Sequence, residues 1–191
     1  MPATASPFGL KPVYHPSGTI RVEAGTIGAV YNANLLQYQP VLIGTDGTLQ
    51  AAATTGVFVG VFEGVEYTAV DGRPIVANEW IASTPVLAGT TPVAYYTRDP
   101  LIRYEIQASG AITQANLGNQ AHMSDVTAGS TTTGLSTATL NQGTLTNSGQ
   151  AQLRIVDFGR EPNNAIGDAF TNVIVEISLH QDVAAINAYG G

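Results

Sequence analysis

Apolar positions in this chain recur mostly with a period of two, in short segments bounded by glycine, proline, asparagine or aspartate. In the segment IRYEIQA (102–108), Ile102, Tyr104 and Ile106 alternate with charged and amide side chains. Such alternation is typical of half-buried β-strands. It predicts strands in eight segments: 18–23, 40–44, 56–63, 73–82, 92–99, 102–108, 150–158 and 172–180.

Two features modify this pattern of strands. In the segment 150–158 the apolar face changes after Ile155, which predicts a β-bulge or burial on both sides. Helical periodicity is nearly absent, and we predict only one short turn within 112–121 that ends at Gly118, and another within 182–191. The chain is therefore predicted to be all-β, a sandwich or small barrel of about eight or more short antiparallel strands.

The stretch from 124 to 149 is rich in threonine, serine and glycine, and its one charged residue is Asp125. It predicts a long surface loop with one short strand inside it. Because long structureless loops in compact domains are often functional, contact with a neighbouring subunit is the alternative interpretation. Residues 19–191 are predicted to form a single β-rich domain, with a subdivision near 110–124 left open.

The chain begins with an apolar segment that is interrupted by prolines, PFGLKPVYHPSG (7–18). Proline fixes φ and lacks a backbone donor, so this segment is not expected to form a helix or to lie inside a sheet. We predict that residues 1–18 form an extended N-terminal arm and that the downstream strands fold without it. The residues predicted to contact another subunit or a capsid are Pro7, Phe8, Leu10, Pro12, Val13, Tyr14 and Pro16. The alternative is that the arm covers an edge of its own domain.

The amino-acid composition favours other protein subunits over nucleic acid as partners. The chain is 44% hydrophobic but only 11% charged, whereas about a quarter of the residues in a typical soluble domain are charged. A surface this poor in charge is common where much of it faces other subunits. The net charge of −7 and the absence of any basic cluster argue against nucleic acid as a partner.

Other classes of protein also find no support in the sequence. The chain has no cysteine, which excludes disulfides and thiolate chemistry. Its apolar segments are shorter than the roughly 20 residues of a transmembrane helix, and its first residues do not resemble a secretory signal. We therefore expect a soluble protein with no membrane partner.

Acidic side chains close in sequence are the first candidates for catalysis. Glu63 with Glu66, and Glu161 with Asp168, could form the carboxylate pairs that glycosidases use. A sugar-binding cleft would also need aromatic side chains, and the chain has one tryptophan. Exposed, solvated carboxylates are therefore the favoured interpretation.

The histidines and one short motif are the remaining candidates. His15, His122 and His180 are scattered without metal-ligand spacing, and His180 with Asp182 has no nucleophile motif beside it. The sequence DFGR (157–160) matches a kinase tripeptide but lacks every accompanying kinase motif. We therefore predict no catalytic residue, no metal, no cofactor and no enzymatic activity.

Three segments taken together resemble a family of small virion proteins of tailed bacteriophages. They are the arm segment PFGLKPVYHPSG, the segment AGSTTTGLS (128–136) and the segment REPNNAIGDAFTNVIVEISLHQ (160–181). The shared features are a PFGL opening, a GSTTTG-like loop, and an R-x-P-N-N-x-I-G motif followed by an apolar strand and His-Gln. No resemblance covers the region 20–110.

The resemblance implies a capsid decoration (cement) or head structural protein on the outer surface of the virion, with the major capsid protein as its partner. A homotrimer is the expected assembly, since closed cyclic symmetry is usual for oligomers and shell proteins commonly occupy three-fold positions. The alternative is a head-fibre, tail or receptor-binding β-module, and a small hydrolase is a further alternative.

Overall fold

A computed structural model describes residues 4–28 and 31–184 of the chain. Within these residues the fold is all-β, built from antiparallel sheets and two short 3₁₀ turns. The strands are β1 (Lys11–Tyr14), β2 (Glu23–Thr26), β3 (Leu35–Leu36), β4 (Pro40–Ile43), β5 (Leu49–Ala51), β6 (Gly60–Thr68), β7 (Pro74–Ala77), β8 (Glu79–Trp80), β9 (Val93–Tyr96), β10 (Arg103–Gln107), β11 (Gln120–Ala121), β12 (Met123–Ser124), β13 (Gly129–Ser130), β14 (Leu135–Ser136), β15 (Thr139–Leu140), β16 (Leu153–Phe158) and β17 (Asn172–Ile177).

Two larger sheets organise the molecule. The first sheet has the strand order β1-β10-β17-β16-β11. The second has the order β2-β9-β6-β4-β5, and β7 also pairs with β6. Three two-stranded pairs, β3–β8, β12–β15 and β13–β14, complete the described fold. The predicted all-β class is confirmed.

The core consists of two apolar clusters on opposite faces of the second sheet. Val61 of β6 packs with inward residues of the first sheet such as Tyr104 and Val175. Its neighbour Phe62 packs instead with Trp80 and other residues of the second cluster. Because successive side chains of a strand point to opposite faces, β6 is buried on both sides. This explains why the sequence from 58 to 62 is continuously apolar rather than alternating.

The bulge predicted after Ile155 is present: the pairing of β16 with β17 shifts register between Ile155 and Asp157. The turn predicted within 112–121 is also confirmed, as a 3₁₀ turn at Gln114–Asn116. Of the turn predicted within 182–191, residues 185–191 lie outside the described residues.

The strand predicted at 18–23 is wrong in position, because β2 begins only at Glu23. β1 belongs to the first sheet and β2 to the second, so the residues between them cross from one sheet to the other. A crossing segment cannot pair with either sheet, although its sequence alternates. Val22 is accordingly half exposed.

The stretch 124–149 is more regular than the predicted loop with one strand. It contributes to four short strands, β12 to β15, and a 3₁₀ turn at Gln142–Thr144. Ser136, Ala138 and Leu140 are buried on one face. Among the described residues, no helix is both long and apolar enough to cross a membrane.

Candidate functional site

The arm is joined to the domain it precedes. Lys11 to Tyr14 form β1, the edge strand of the first sheet, which pairs with β10. The side chain of Leu10 is 0% exposed and packs in the core, so the predicted subunit contact at Leu10 is wrong. Proline is tolerated in edge strands, and Pro12 therefore lies within β1 although a proline-stiffened arm was expected to stay outside any sheet.

The other predicted contact residues remain at least partly accessible. Val13 is 38% exposed and Tyr14 is 50% exposed, both on the open edge of the sheet. The ring of Tyr14 lies 5.5 Å from the guanidinium carbon of Arg103, a cation–π contact. Pro16 is exposed, and the remaining three, Pro7, Phe8 and Pro12, are partly buried.

The three sequence segments that resemble phage proteins converge around one cleft of about 560 Å³. The arm contributes Phe8 and Lys11 to its walls, the segment 128–136 contributes Leu135, and the segment 160–181 contributes Glu161 and Asn163. We call this the arm cleft. Nothing in the sequence spacing shows that these segments meet, because more than a hundred residues separate the first from the second.

The arm reaches the cleft through a sharp bend at Gly9, whose φ is 78°. The Leu10 N–H donates to the Tyr38 carbonyl at 2.9 Å. A Cβ on Gly9 would lie 2.8 Å from that same carbonyl oxygen and 3.0 Å from Cβ of Ser136. Glycine is therefore required both by the backbone conformation and by the contact between the first two segments.

A pair of carboxyl groups lies in the wall of the arm cleft. The carboxyl groups of Glu105, on β10, and Glu161, in the loop after β16, lie near each other and both line the cleft. Glu105 is only 8% exposed. A Cβ on Gly159 would lie 2.6 Å from Oε1 of Glu105 and 2.6 Å from Oε2 of Glu161, so a side chain at residue 159 would displace the pair.

Burial and the neighbouring carboxylate set the protonation of this pair. Burial, together with the interaction with the neighbouring Glu161 carboxyl, raises the pKa of the Glu105 carboxyl to about 7. The interaction with Glu105 lowers the pKa of Glu161. Ionising both of two adjacent carboxyl groups costs electrostatic free energy, so the pair retains one proton below neutral pH. Lys11 favours the ionised forms of both groups.

The carboxylate pairs that the sequence analysis considered and did not favour do not form. Glu63 accepts a 3.4 Å hydrogen bond from Gln37, and burial raises its pKa. Glu66 instead accepts from the Tyr95 hydroxyl at 3.1 Å. Glu161 pairs with Glu105 rather than with Asp168. Neighbours in sequence point to opposite faces of a strand or lie on different turns, and the true pair joins residues far apart in the chain.

His180 and Asp182 do not form a catalytic arrangement. The Asp182 backbone N–H donates to Nδ1 of His180 at 3.1 Å, so the contact between them does not use the carboxylate. The Asp182 carboxylate accepts from Nε of Arg98 at 2.7 Å, and this hydrogen bond lowers the pKa of Asp182. Burial lowers the pKa of His180.

The remaining candidates have structural roles. In the DFGR segment, Asp157 accepts from the Arg160 guanidinium at 3.0 Å and from the Phe158 N–H at 2.9 Å. His15 contacts Asp99 at 3.1 Å through Nε2. Within the described part of the chain, no three histidine, aspartate or glutamate side chains are grouped so that they could hold a metal ion.

Asn164 of the R-x-P-N-N-x-I-G motif fixes the loop that carries Glu161. Its side-chain amide donates to the carbonyls of Gly159 and Asn172, each at 2.9 Å. Its Oδ1 accepts from the Asn172 N–H at 2.8 Å. The side chain thus ties the loop that carries Glu161 to the first residue of β17 and to the residue after β16.

Comparison of the chain with protein-family models, with curated proteins and with solved structures gave no match. The resemblance to phage virion proteins therefore depends on the three sequence segments alone.

Sequence reasoning missed Glu105 and Gln107 as members of the site. The alternation of 102–108 placed both on the polar face of a strand, and the structure agrees about the face. Both are nevertheless buried, because the arm and the loop around Glu161 cover this face. The signal in the sequence was Glu105 itself, a charged residue in the middle of a strongly alternating strand.

Proposed function

We propose that this chain is a viral structural protein, a capsid decoration protein that binds the major capsid protein on the outside of a tailed-phage head. The sequence resemblance supports this proposal, as does the convergence of its three segments at the arm cleft. The observation that carries it is the open edge strand β1, which presents Val13 and Tyr14 to solvent beside this cleft.

The edge offers a means of binding without catalysis. An edge strand exposes unpaired backbone groups that a neighbouring strand can use. Pro12 removes one backbone donor, so apolar burial of Val13 and Tyr14 supplies more of the binding free energy than strand pairing does.

The charge of the chain supports a position on the outer surface. With a net charge of −7, the protein would be repelled by DNA packaged inside a head. We propose assembly as a homotrimer, and light scattering of the isolated protein tests it. A mass of three chains is expected, and a stable monomer at micromolar concentration would contradict assembly before binding.

The binding experiment uses bare phage heads and co-sedimentation. Replacing Val13 and Tyr14 together with alanine should weaken binding about 10- to 100-fold, because both side chains would be central to the interface. Val76→Ala is the matched control, since Val76 is an exposed strand valine on β7 and is 77% exposed. Raising the salt concentration should change binding little. Equal binding of the double variant and the control would overturn the proposed surface.

The same experiment separates this proposal from its alternatives. A tail or receptor-binding module would not sediment with bare heads. A head fibre would sediment with them, and imaging of the decorated head distinguishes it by density that projects from the surface. A glycosidase needs its carboxyl groups about 5 to 9.5 Å apart, with substrate or water between them. A single Cβ on Gly159 would lie 2.6 Å from a carboxyl oxygen of both Glu105 and Glu161, which leaves little room for a substrate between them, and we propose no enzymatic activity. Turnover of a glycan that Glu105→Gln abolishes would contradict this.

A further inference from the structure

The side chain of Glu105 lies in the wall of the arm cleft without a hydrogen-bond donor. It is only 8% exposed, and it lines the cleft. Among the described residues, none donates a hydrogen bond to its carboxyl group. Oε2 of Glu161, in the same wall, is buried and also has no hydrogen-bond partner there. Buried polar groups are nearly always hydrogen-bonded, so two unpartnered acceptors side by side favour a donor from outside the chain.

The charge at this position favours a cation. A Cβ on Gly159 would lie 2.6 Å from a carboxyl oxygen of both Glu105 and Glu161, so the two carboxyl groups are close together. Of the described residues that line the cleft, Lys11 is the one with a positive charge. Lys11 is exposed and makes no ion pair within the described part of the chain. The two carboxyl groups therefore lack a bound counter-charge.

The walls of the cleft suit a long cationic side chain better than a metal ion. Phe8, Tyr38 and Leu135 line the cleft, and its volume of about 560 Å³ lies within the roughly 300–1,000 Å³ of small-ligand clefts. Divalent cations need several oxygen ligands, and no third histidine, aspartate or glutamate joins the two carboxyl groups in the described part of the chain. An arginine side chain has an apolar stem that packs on such walls and a guanidinium that donates two parallel hydrogen bonds to one carboxylate.

We propose that the arm cleft binds an arginine side chain of the partner protein, whose guanidinium donates to the carboxylate of Glu105 beside the charge of Glu161. The inference deepens the proposed function and rests on it for the partner, the major capsid protein. Lys11 of β1 lines the cleft, so the site adjoins the strand edge at which Val13 and Tyr14 are exposed. Because the ion pair would be buried, added salt would screen it little.

NMR titration of the isolated protein with a blocked Gly-Arg-Gly peptide tests the chemistry of the cleft apart from the identity of the partner. At pH 8, above the pKa of about 7 of Glu105, the peptide should shift the backbone N–H resonances of Glu105 and Gly159 saturably. The same peptide with citrulline in place of arginine is neutral and nearly identical in shape, and it should bind at least about tenfold more weakly. No saturable shift by the arginine peptide, or equal affinity for the two peptides, would overturn the proposed site.

Three variants identify the residues that bind the peptide. Glu105→Gln removes the negative charge with little change of shape and should weaken binding of the arginine peptide at least about tenfold. Lys11→Gln removes the competing cation and should strengthen binding. Glu66→Gln, at an exposed carboxylate bonded to Tyr95, is the control and should bind as the unmodified chain does. Unchanged affinity in folded Glu105→Gln would overturn the proposed contact, and the comparison with citrulline decides the question even if this variant does not fold.

Co-sedimentation with bare heads separates this inference from the proposed function. If the unmodified chain binds heads, Glu105→Gln should bind them about tenfold more weakly than Glu66→Gln does. Equal binding of the two variants would overturn the arginine contact and leave the proposed function standing. Failure of the unmodified chain to bind heads would overturn the proposed function, whereas the peptide titration would still decide whether the cleft binds arginine.

Discussion

The side chain of Gln181 pairs with both backbone groups of Ile43. The Ile43 N–H donates to Oε1 of Gln181 at 2.9 Å, and Nε2 of Gln181 donates to the Ile43 carbonyl at 2.7 Å. The Gln181 N–H also donates to the Phe58 carbonyl at 2.9 Å. The segment after β17 is thereby fastened to the second sheet, and the His-Gln pair of the resemblance has a structural role.

Removing this amide should loosen the attachment. Gln181→Ala deletes two hydrogen bonds at an exposed site and should lower the free energy of unfolding by about 1 kcal/mol. Gln114→Ala is the control, because the Gln114 side chain is exposed on a 3₁₀ turn. Urea denaturation measures both variants. Identical midpoints for the two would show that the Gln181 amide contributes nothing.

Leu10 should matter for folding rather than for binding. Leu10→Ala removes a fully buried side chain and should cost about 2 to 5 kcal/mol of stability. Val13→Ala, three residues later on the exposed edge, should cost no more than about 0.5 kcal/mol. For the same reason, deletion of residues 1–17 should destabilise the domain, contrary to the expectation from sequence. A truncated chain with unchanged thermal stability would contradict the packing described for Leu10.

Two glycines of the arm offer a matched comparison of contact and backbone strain. Gly9 and Gly18 have φ values of 78° and 77°. A Cβ on Gly18 would meet nothing within 4 Å, whereas one on Gly9 would meet the Tyr38 carbonyl at 2.8 Å. Gly18→Ala should cost about 1 to 2 kcal/mol for the left-handed conformation alone. Gly9→Ala should cost measurably more in the same denaturation experiment. Equal losses would mean that the arm shifts freely away from Tyr38.

The pH dependence of stability should show the contribution of His180. Burial lowers its pKa in the folded state below the unfolded value of 6.5. The unfolded chain therefore binds more protons as the pH falls, and stability decreases from pH 6.5 downward. His180→Gln should flatten this decrease between pH 7 and 5. Because Glu105 contributes in the opposite direction over much of this range, the quantity to compare is the difference between the variant and the unmodified chain. A difference that is constant from pH 8 to pH 5 would exclude His180 as the source.

Local patterns predicted most of the strands because burial on one face leaves a period of two in the sequence. The segments 102–108 and 172–180 show this, and β10 and β17 lie within them. The error at 18–23 has a different cause: pairing partners, rather than the residues themselves, decide where a strand begins. Leu10 was assigned to an interface because its apolar side chain predicts burial, whereas the sequence does not show whether its own domain or another subunit buries it.

The candidate site could be predicted only in part. Three segments were identified by resemblance, but their convergence on the arm cleft depends on strand order, which the spacing does not encode. Glu105 and Glu161 are 56 positions apart, so no local pattern connects them. Asn164, by contrast, lies eight residues before Asn172, and its role in holding the loop is local.

The most direct test of the proposed function is cryo-electron microscopy of bare heads from a tailed phage whose genome carries this sequence, mixed with the purified protein. The account predicts added density on the outer surface of the head, with the Val13–Tyr14 edge of β1 against the major capsid protein. Density on the tail or on a fibre, or attachment to the head through the face opposite β1, would contradict it.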